Sequence, residues 1–346
     1  MNKETLNKNL QKFINWCLKY GSIIISIIIL IIGISSIFVT AYFNSNFHHA
    51  EEKTSFKYSL GIIPIVISTI CIILILFINK KILKKIPSKY IMIALSIFSL
   101  ALYIFWINAL RLTPENDQKL IHEMALHALD GDVSFYTAVS QYLFLYPYQF
   151  FFTFIVTIIY KIFGVNYLYI EYLNAICSTI NALLLFFISK QIFKDEKIQK
   201  TLTLFIAGFT FYWMFFNVHF YGNILGLTLA LFAILFTTLY LNTHKLRYTF
   251  FIGFFISFAT LVKTNYQIFL VAIIICLLLD LIKKYDHKKL LMILLFILGF
   301  ISIILAYKPI LSYYNIDASK GVPMSNFLYM GMAEPTNLSP RMVYSR

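Results

Sequence analysis

Charge is what this sequence has least of. Charged residues fill 13% of its 346 positions while 60% are hydrophobic, where soluble chains carry roughly a quarter charged and half apolar. A water-soluble globular fold is thereby excluded, because so much apolar surface needs lipid as its solvent. Arginine is scarce beside lysine, 4 residues against 25, a compositional bias to which no function attaches. Cysteine is nearly absent. Cys17, Cys71, Cys177 and Cys276 each lie in or beside an apolar run and form no Cys-x-x-Cys pair, which leaves them as small core hydrophobes. The chain also lacks a Gly/Ser or Pro linker and any repeat of fixed period, so it reads as one membrane domain.

What is present is apolar length. Runs such as Tyr20–Ala41, Leu60–Ile78 and Leu290–Tyr307 reach the roughly 18 to 20 residues a helix needs to cross about 30 Å of hydrocarbon. Backbone groups facing lipid must bond within their own segment, so the predicted fold class is all-α, a polytopic transmembrane helical bundle. The first run is not a signal peptide, although Lys3, Lys8, Lys12 and Lys19 precede it; it exceeds a signal core of roughly 7–15 residues, and no Ala-x-Ala site closes it.

A net charge of +14 would suggest nucleic acid in a soluble chain, but here cations sort by side of the membrane, and no nucleic-acid partner is expected. The N-terminus, Lys80–Lys89, Lys190–Lys200, Lys245–Arg247 and Lys283–Lys289 hold most of the 29 basic residues and are the predicted cytoplasmic segments. Spans near 21–43, 60–79 and 90–111 then place 112–146 outside. Counting both 147–163 and 167–189 as crossings would put Lys190 and Lys194 outside. The shorter segment, opening at Pro147 and closing at Phe163-Gly164, is therefore predicted to be a re-entrant or outer-leaflet helix. Spans at 167–189, 201–218, 222–241, 248–262, 266–282 and 289–307 complete about nine crossings and leave 308–346 outside.

Polar chemistry gathers in the outer loops. The first opens Arg111-Leu112-Thr113-Pro114-Glu115-Asn116-Asp117-Gln118, placing two carboxylates and an amide at the membrane surface. Leu120, Ile121, Met124, Ala125, Ala128 and Leu129 then form an amphipathic helical stripe suited to the interface, broken by Gly131-Asp132. The simpler reading needs no catalysis: Pro114 starts this helix and Asn116 or Asp117 caps it. His122 and His127 bracket Glu123 as in a zinc-protease helix, but five steps separate them by about 140° where a shared metal needs about 40°. No metal is expected there, and His48-His49 with Glu51-Glu52 read as a solvated loop.

The ordered set Pro114-x-x-Asp117-Gln118, the helix ending at Gly131-Asp132, Tyr142 to Gln149 with Tyr146 and Pro147, and Phe163-Gly164 resembles the GT-C membrane glycosyltransferases. Within them it is most similar to bacterial dolichyl-phosphate-mannose-protein mannosyltransferase-like proteins. The resemblance implies residues 1–89 as a two-span addition, 90–335 as the GT-C-like core and 336–346 as a truncated outer segment. It also implies transfer of a sugar from a polyprenyl-phosphate donor to an unidentified acceptor, with inversion, on the outer face of the cell membrane. The donor and membrane lipid are then the partners, and no metal is assigned, since basic side chains alone can serve a monophosphate donor.

Under that resemblance Asp117 matches the family's acidic base and Glu115 is its substitute. Lys263, between Val262 and Thr264 at an outer junction, would hold the donor phosphate, with Arg111 as a second cation. A lysine snorkelling to anchor a helix end is the plainer reading of Lys263. Gln118, Tyr146, Gln149, His219, Asn326 and Tyr329 are the candidate substrate-binding residues, the last two in Gly321–Met332. Asn223 stands where the family carries a further acidic residue, which leaves an inactive relative open. A transporter or flippase of lipid-linked sugars and, more distantly, an acyltransferase using His122 are the rival functions.

Overall fold

Long apolar runs, each obliged to close its own hydrogen bonds, become helices of unequal length. A computed structural model describes residues 3–46, 51–58, 86–132, 142–208, 210–283, 288–317 and 321–322, with isolated positions between 66 and 77. The chain divides into two compact units, Met1–Ser88 with Leu279–Tyr285, and Lys89–Leu278 with Asp286–Arg346.

The first unit opens with α1 (Lys3–Phe38). Its isoleucines from Ile23 to Ile34 are exposed around the helix, as an all-round apolar helix in contact with lipid should be. The run expected to continue to residue 43 instead leaves the helix at Phe38. Strand β1 (Val39–Asn46) pairs antiparallel with β2 (Glu51–Tyr58), Val39 opposite Tyr58 and Asn46 opposite Glu51. This short ribbon aside, the described elements are helical, as expected of an all-α membrane bundle. Val39, Thr40, Tyr42 and Phe43 are β-branched or aromatic, types that favour strands. Glu51 and Glu52 thus lie on a strand, while His48-His49 fall outside the described residues.

The remaining helices are α2 (Ser88–Leu110), α3 (Asp117–Leu129), α4 (Tyr142–Leu145), α5 (Phe150–Phe163), α6 (Leu168–Ile192), α7 (Glu196–Gly208), α8 (Thr210–Asn217), α9 (Asn223–Thr243), α10 (Arg247–Val262), α11 (Gln267–Lys283) and α12 (Lys288–Tyr313), all in the second unit except Ser88 and the last residues of α11 from Leu279. Among the described residues, six helices are long and apolar enough to cross a bilayer, with spans Asn15–Ser35, Ser88–Leu110, Leu168–Ile192, Asn223–Thr243, Thr264–Ile282 and Lys289–Tyr313. The expected span 60–79 falls largely outside the described residues. The expected 201–218 is helical in α7 and α8, with residue 209 between them outside the described residues. Segment 248–262 forms α10, only 16 residues long.

Helix α5 is short as well, 14 residues after a 3-10 turn at Pro147–Gln149. Its face Phe152, Thr153, Val156 and Tyr160 is buried and belongs to the same core as Ile121, Met124 and Ala125 of α3. The stripe predicted for an interfacial helix therefore turns into the protein: Leu120, Ala128 and Leu129 also pack against this core. Helices α9, α10 and α12 complete it through Ala230, Ile252, Ile256 and Tyr307.

Candidate functional site

Helix α2 ends at Leu110, and the chain turns sharply to begin α3. Arg111 and Asn116 take φ of 45° and 50°, a region that costs a non-glycine residue energy and that recurs at functional loops. Arg111 is held there by its own amide on the Ile107 carbonyl at 3.0 Å and by the Tyr167 hydroxyl donating to its carbonyl at 3.1 Å. Asn116 occupies the N-cap position without a side-chain capping bond, and Asp117 is the first helical residue. Capping therefore does not account for Asn116. The carboxylate of Asp117 sits where a helix start favours negative charge, exposed like Glu115 and Arg111.

Asp117 meets groups from three other segments. Its charge acts on the Tyr142 hydroxyl of α4, which lies 3.3 Å from the hydroxyl of Tyr221. Gln149, 2% exposed, donates its Nε2 hydrogen to the same Tyr221 oxygen. Lys263 Nζ stands 3.8 Å from the centre of the Tyr221 ring. Burial raises the Tyr142 phenol, and Tyr221 and Asp117 add to the effect. Burial likewise raises Tyr221. Burial pushes the Lys263 ammonium down to about 8, with Asp117 pulling the other way. His219, its ring 5.8 Å from that of Tyr221, is lowered by burial first and by Lys263 second.

The loop bearing His219 and Tyr221 is pinned from two sides. Asn174 Nδ2 on α6 donates to the carbonyls of Asn217 at 3.2 Å and His219 at 2.9 Å, while Ser178 Oγ bonds Asn217 Oδ1 at 2.6 Å. Gln118 Oε1 accepts the Phe220 amide at 2.7 Å, so this expected substrate ligand spends its acceptor on the loop. Gly222 lets the start of α9 approach Lys263: a Cβ there would stand 3.0 Å from both the Val262 side chain and its carbonyl. The Tyr266 hydroxyl donates to the carbonyl of Asn223, the first residue of α9. A cation and a helix N-terminus thus face the same region, a pairing suited to an anionic phosphate.

Of the residues expected from sequence, Asp117, Gln118, Gln149, His219 and Lys263 come together. Tyr146 adjoins them through its ring, 5.0 Å from that of Tyr142. Asn326 and Tyr329 lie outside the described residues, but the start of their segment returns to the site, where the Val322 amide donates to the Leu145 carbonyl at 2.9 Å. Tyr142, read from the sequence only as the start of a motif, and Tyr221 are given no site role by the sequence, and Asn174 and Asn217 are unforeseen support for the loop that bears Tyr221. His122 is bound to the Tyr160 hydroxyl at 2.7 Å, while His127 Nδ1 turns to Asp132 at 3.4 Å, so the two imidazoles diverge.

Six bilayer-length apolar helices among the described residues describe a multi-pass membrane protein. Residues 147–307 match the family model of dolichyl-phosphate-mannose-protein mannosyltransferases, which supports a GT-C mannosyltransferase-like protein and, more broadly, a membrane glycosyltransferase. The matched stretch holds Gln149, His219, Tyr221 and Lys263, whereas Asp117 lies upstream of it. No curated protein and no solved structure matches the chain.

Proposed function

We propose that this protein transfers a sugar from a polyprenyl-phosphate donor to an acceptor hydroxyl on the outer face of the membrane, inverting the anomeric carbon. The observation that carries the reading is one ammonium, Lys263, on the ring of Tyr221, with one carboxylate, Asp117, from a distant segment close enough to act on Tyr142, Tyr221 and Lys263 alike. Asp117 takes the proton of the acceptor hydroxyl, whose oxygen attacks the anomeric carbon from the face opposite the lipid phosphate. The bond from that carbon to the phosphate oxygen breaks with its electron pair. The charge arriving on the phosphate is stabilised by Lys263 and by the start of α9. A monophosphate leaving group needs no more than these groups supply, so no metal is assigned.

Comparison of Asp117→Asn with Glu115→Gln in the protein purified in lipid tests the assignment. A lost general base lowers turnover by about 100-fold or more, so Asp117→Asn should show that loss and Glu115→Gln should stay near wild type. Turnover retained by Asp117→Asn with folding intact would remove it from the mechanism, and loss confined to Glu115→Gln would transfer the role to Glu115.

A further inference from the structure

A carboxylate and an ammonium that share a site tend to pair with each other. Here they do not: among the described residues no carboxylate oxygen lies within 4.0 Å of Lys263 Nζ. The ammonium rests on the face of Tyr221 at 3.8 Å, where attraction comes from the ring's quadrupole and the N–H bonds directed away from the ring are left for other acceptors. The ring cannot easily swing away. Its hydroxyl is tied to Gln149 and to Tyr142, which belong to two different elements. Its plane is restricted by Phe152, centroid 6.4 Å away, and by His219 at 5.8 Å.

We propose that Tyr221 is a positioning residue, holding Lys263 by its ring face and keeping it from Asp117, so that the ammonium's N–H donors remain available to a phosphate group. The role rests on the transferase reading above. A direct ion pair would satisfy Lys263 and Asp117 against each other, withdrawing both base and cation. The ring instead keeps the two charges in one site as separate tools. The groups facing Lys263 are Asp117 from α3 and His219 and Tyr221 from the loop before α9. Of these, only Asp117 can form an ion pair with the ammonium.

The test uses reductively 13C-methylated lysines, which keep their charge, in the full chain in lipid nanodiscs. The Lys263 signal is identified by its loss in Lys263→Arg. It should be shifted upfield by the ring in wild type and in Tyr221→Phe, and unshifted in Tyr221→Leu. Undecaprenyl phosphate should bind Tyr221→Leu about tenfold more weakly than wild type, and adding Asp117→Asn to that variant should restore most of the affinity, because the competing partner is gone. An unshifted wild-type signal, unchanged phosphate affinity in Tyr221→Leu, or no recovery in the double variant would overturn the proposal. A Tyr221-dependent shift with no phosphate binding by wild type would instead overturn the transferase reading while leaving the ring's hold on Lys263 intact.

Discussion

Lys263 carries its charge below about pH 8 and loses it as pH rises through that value, because burial disfavours the ammonium. If its charge holds the donor phosphate, kcat/KM for the donor falls as pH rises through about 8. Lys263→Arg, whose guanidinium does not titrate in that range, should remove this alkaline limb; a limb that persists in Lys263→Arg would assign it to another group. Glu171 presents a different case. It is 1% exposed, and neither carboxyl oxygen has a hydrogen-bond partner among the described residues. Leaving a buried polar group unsatisfied costs about 1–3 kcal/mol, so Glu171→Met should raise the melting temperature in detergent. A fall would show that the carboxyl has a partner.

At this scale the polar members of the site were legible because charged residues are rare in so apolar a chain, so Asp117, Gln118 and Lys263 stand out at the ends of apolar runs. The tyrosines were not. With 24 tyrosines and 35 phenylalanines in the chain, an aromatic residue carries little information by itself. The contact that gives Tyr221 its meaning joins it to Lys263 across a helical hairpin that no local pattern encodes.

Among the elements, apolar length fixed which segments are helical but not how each run is divided. The break at Phe38 follows local conformational preference within a run that hydropathy alone reads as continuous. The amphipathic stripe of α3 was legible, yet its partner was not: periodicity shows that a face is apolar and leaves open whether lipid or α5 covers it. Helix–helix proximity is likewise encoded in single small residues. A Cβ on Gly299 would lie 2.1 Å from the Phe250 carbonyl oxygen, and one on Gly253 would lie 2.1 Å from that of Phe296, so α10 and α12 touch backbone to backbone as close membrane helices do. Gly299→Leu should therefore destabilise the bundle by about 1–3 kcal/mol or more, read as a lower melting temperature. Unchanged stability would mean that these helices separate at little cost.

For the molecule as a whole, the bias of lysines toward one set of connections supports an inside N-terminus and an outer site. Helix α6 offers the cleanest check, because Asn166 and Lys194 flank it. In a background with the native cysteines replaced, a membrane-impermeant maleimide added outside intact cells should label Asn166→Cys and spare Lys194→Cys; the reverse pattern would invert the topology and place the site in the cytoplasm. The central claim concerns chemistry, and product analysis reaches it directly. Purified protein in lipid, given a synthetic polyprenyl-phosphate sugar of defined anomeric configuration and a panel of acceptor alcohols, should yield a glycoside of the opposite configuration, read from the anomeric coupling constant. Product of retained configuration would contradict the proposed single displacement, and no transfer to any acceptor in the panel would contradict the assignment of this site to glycosyl transfer.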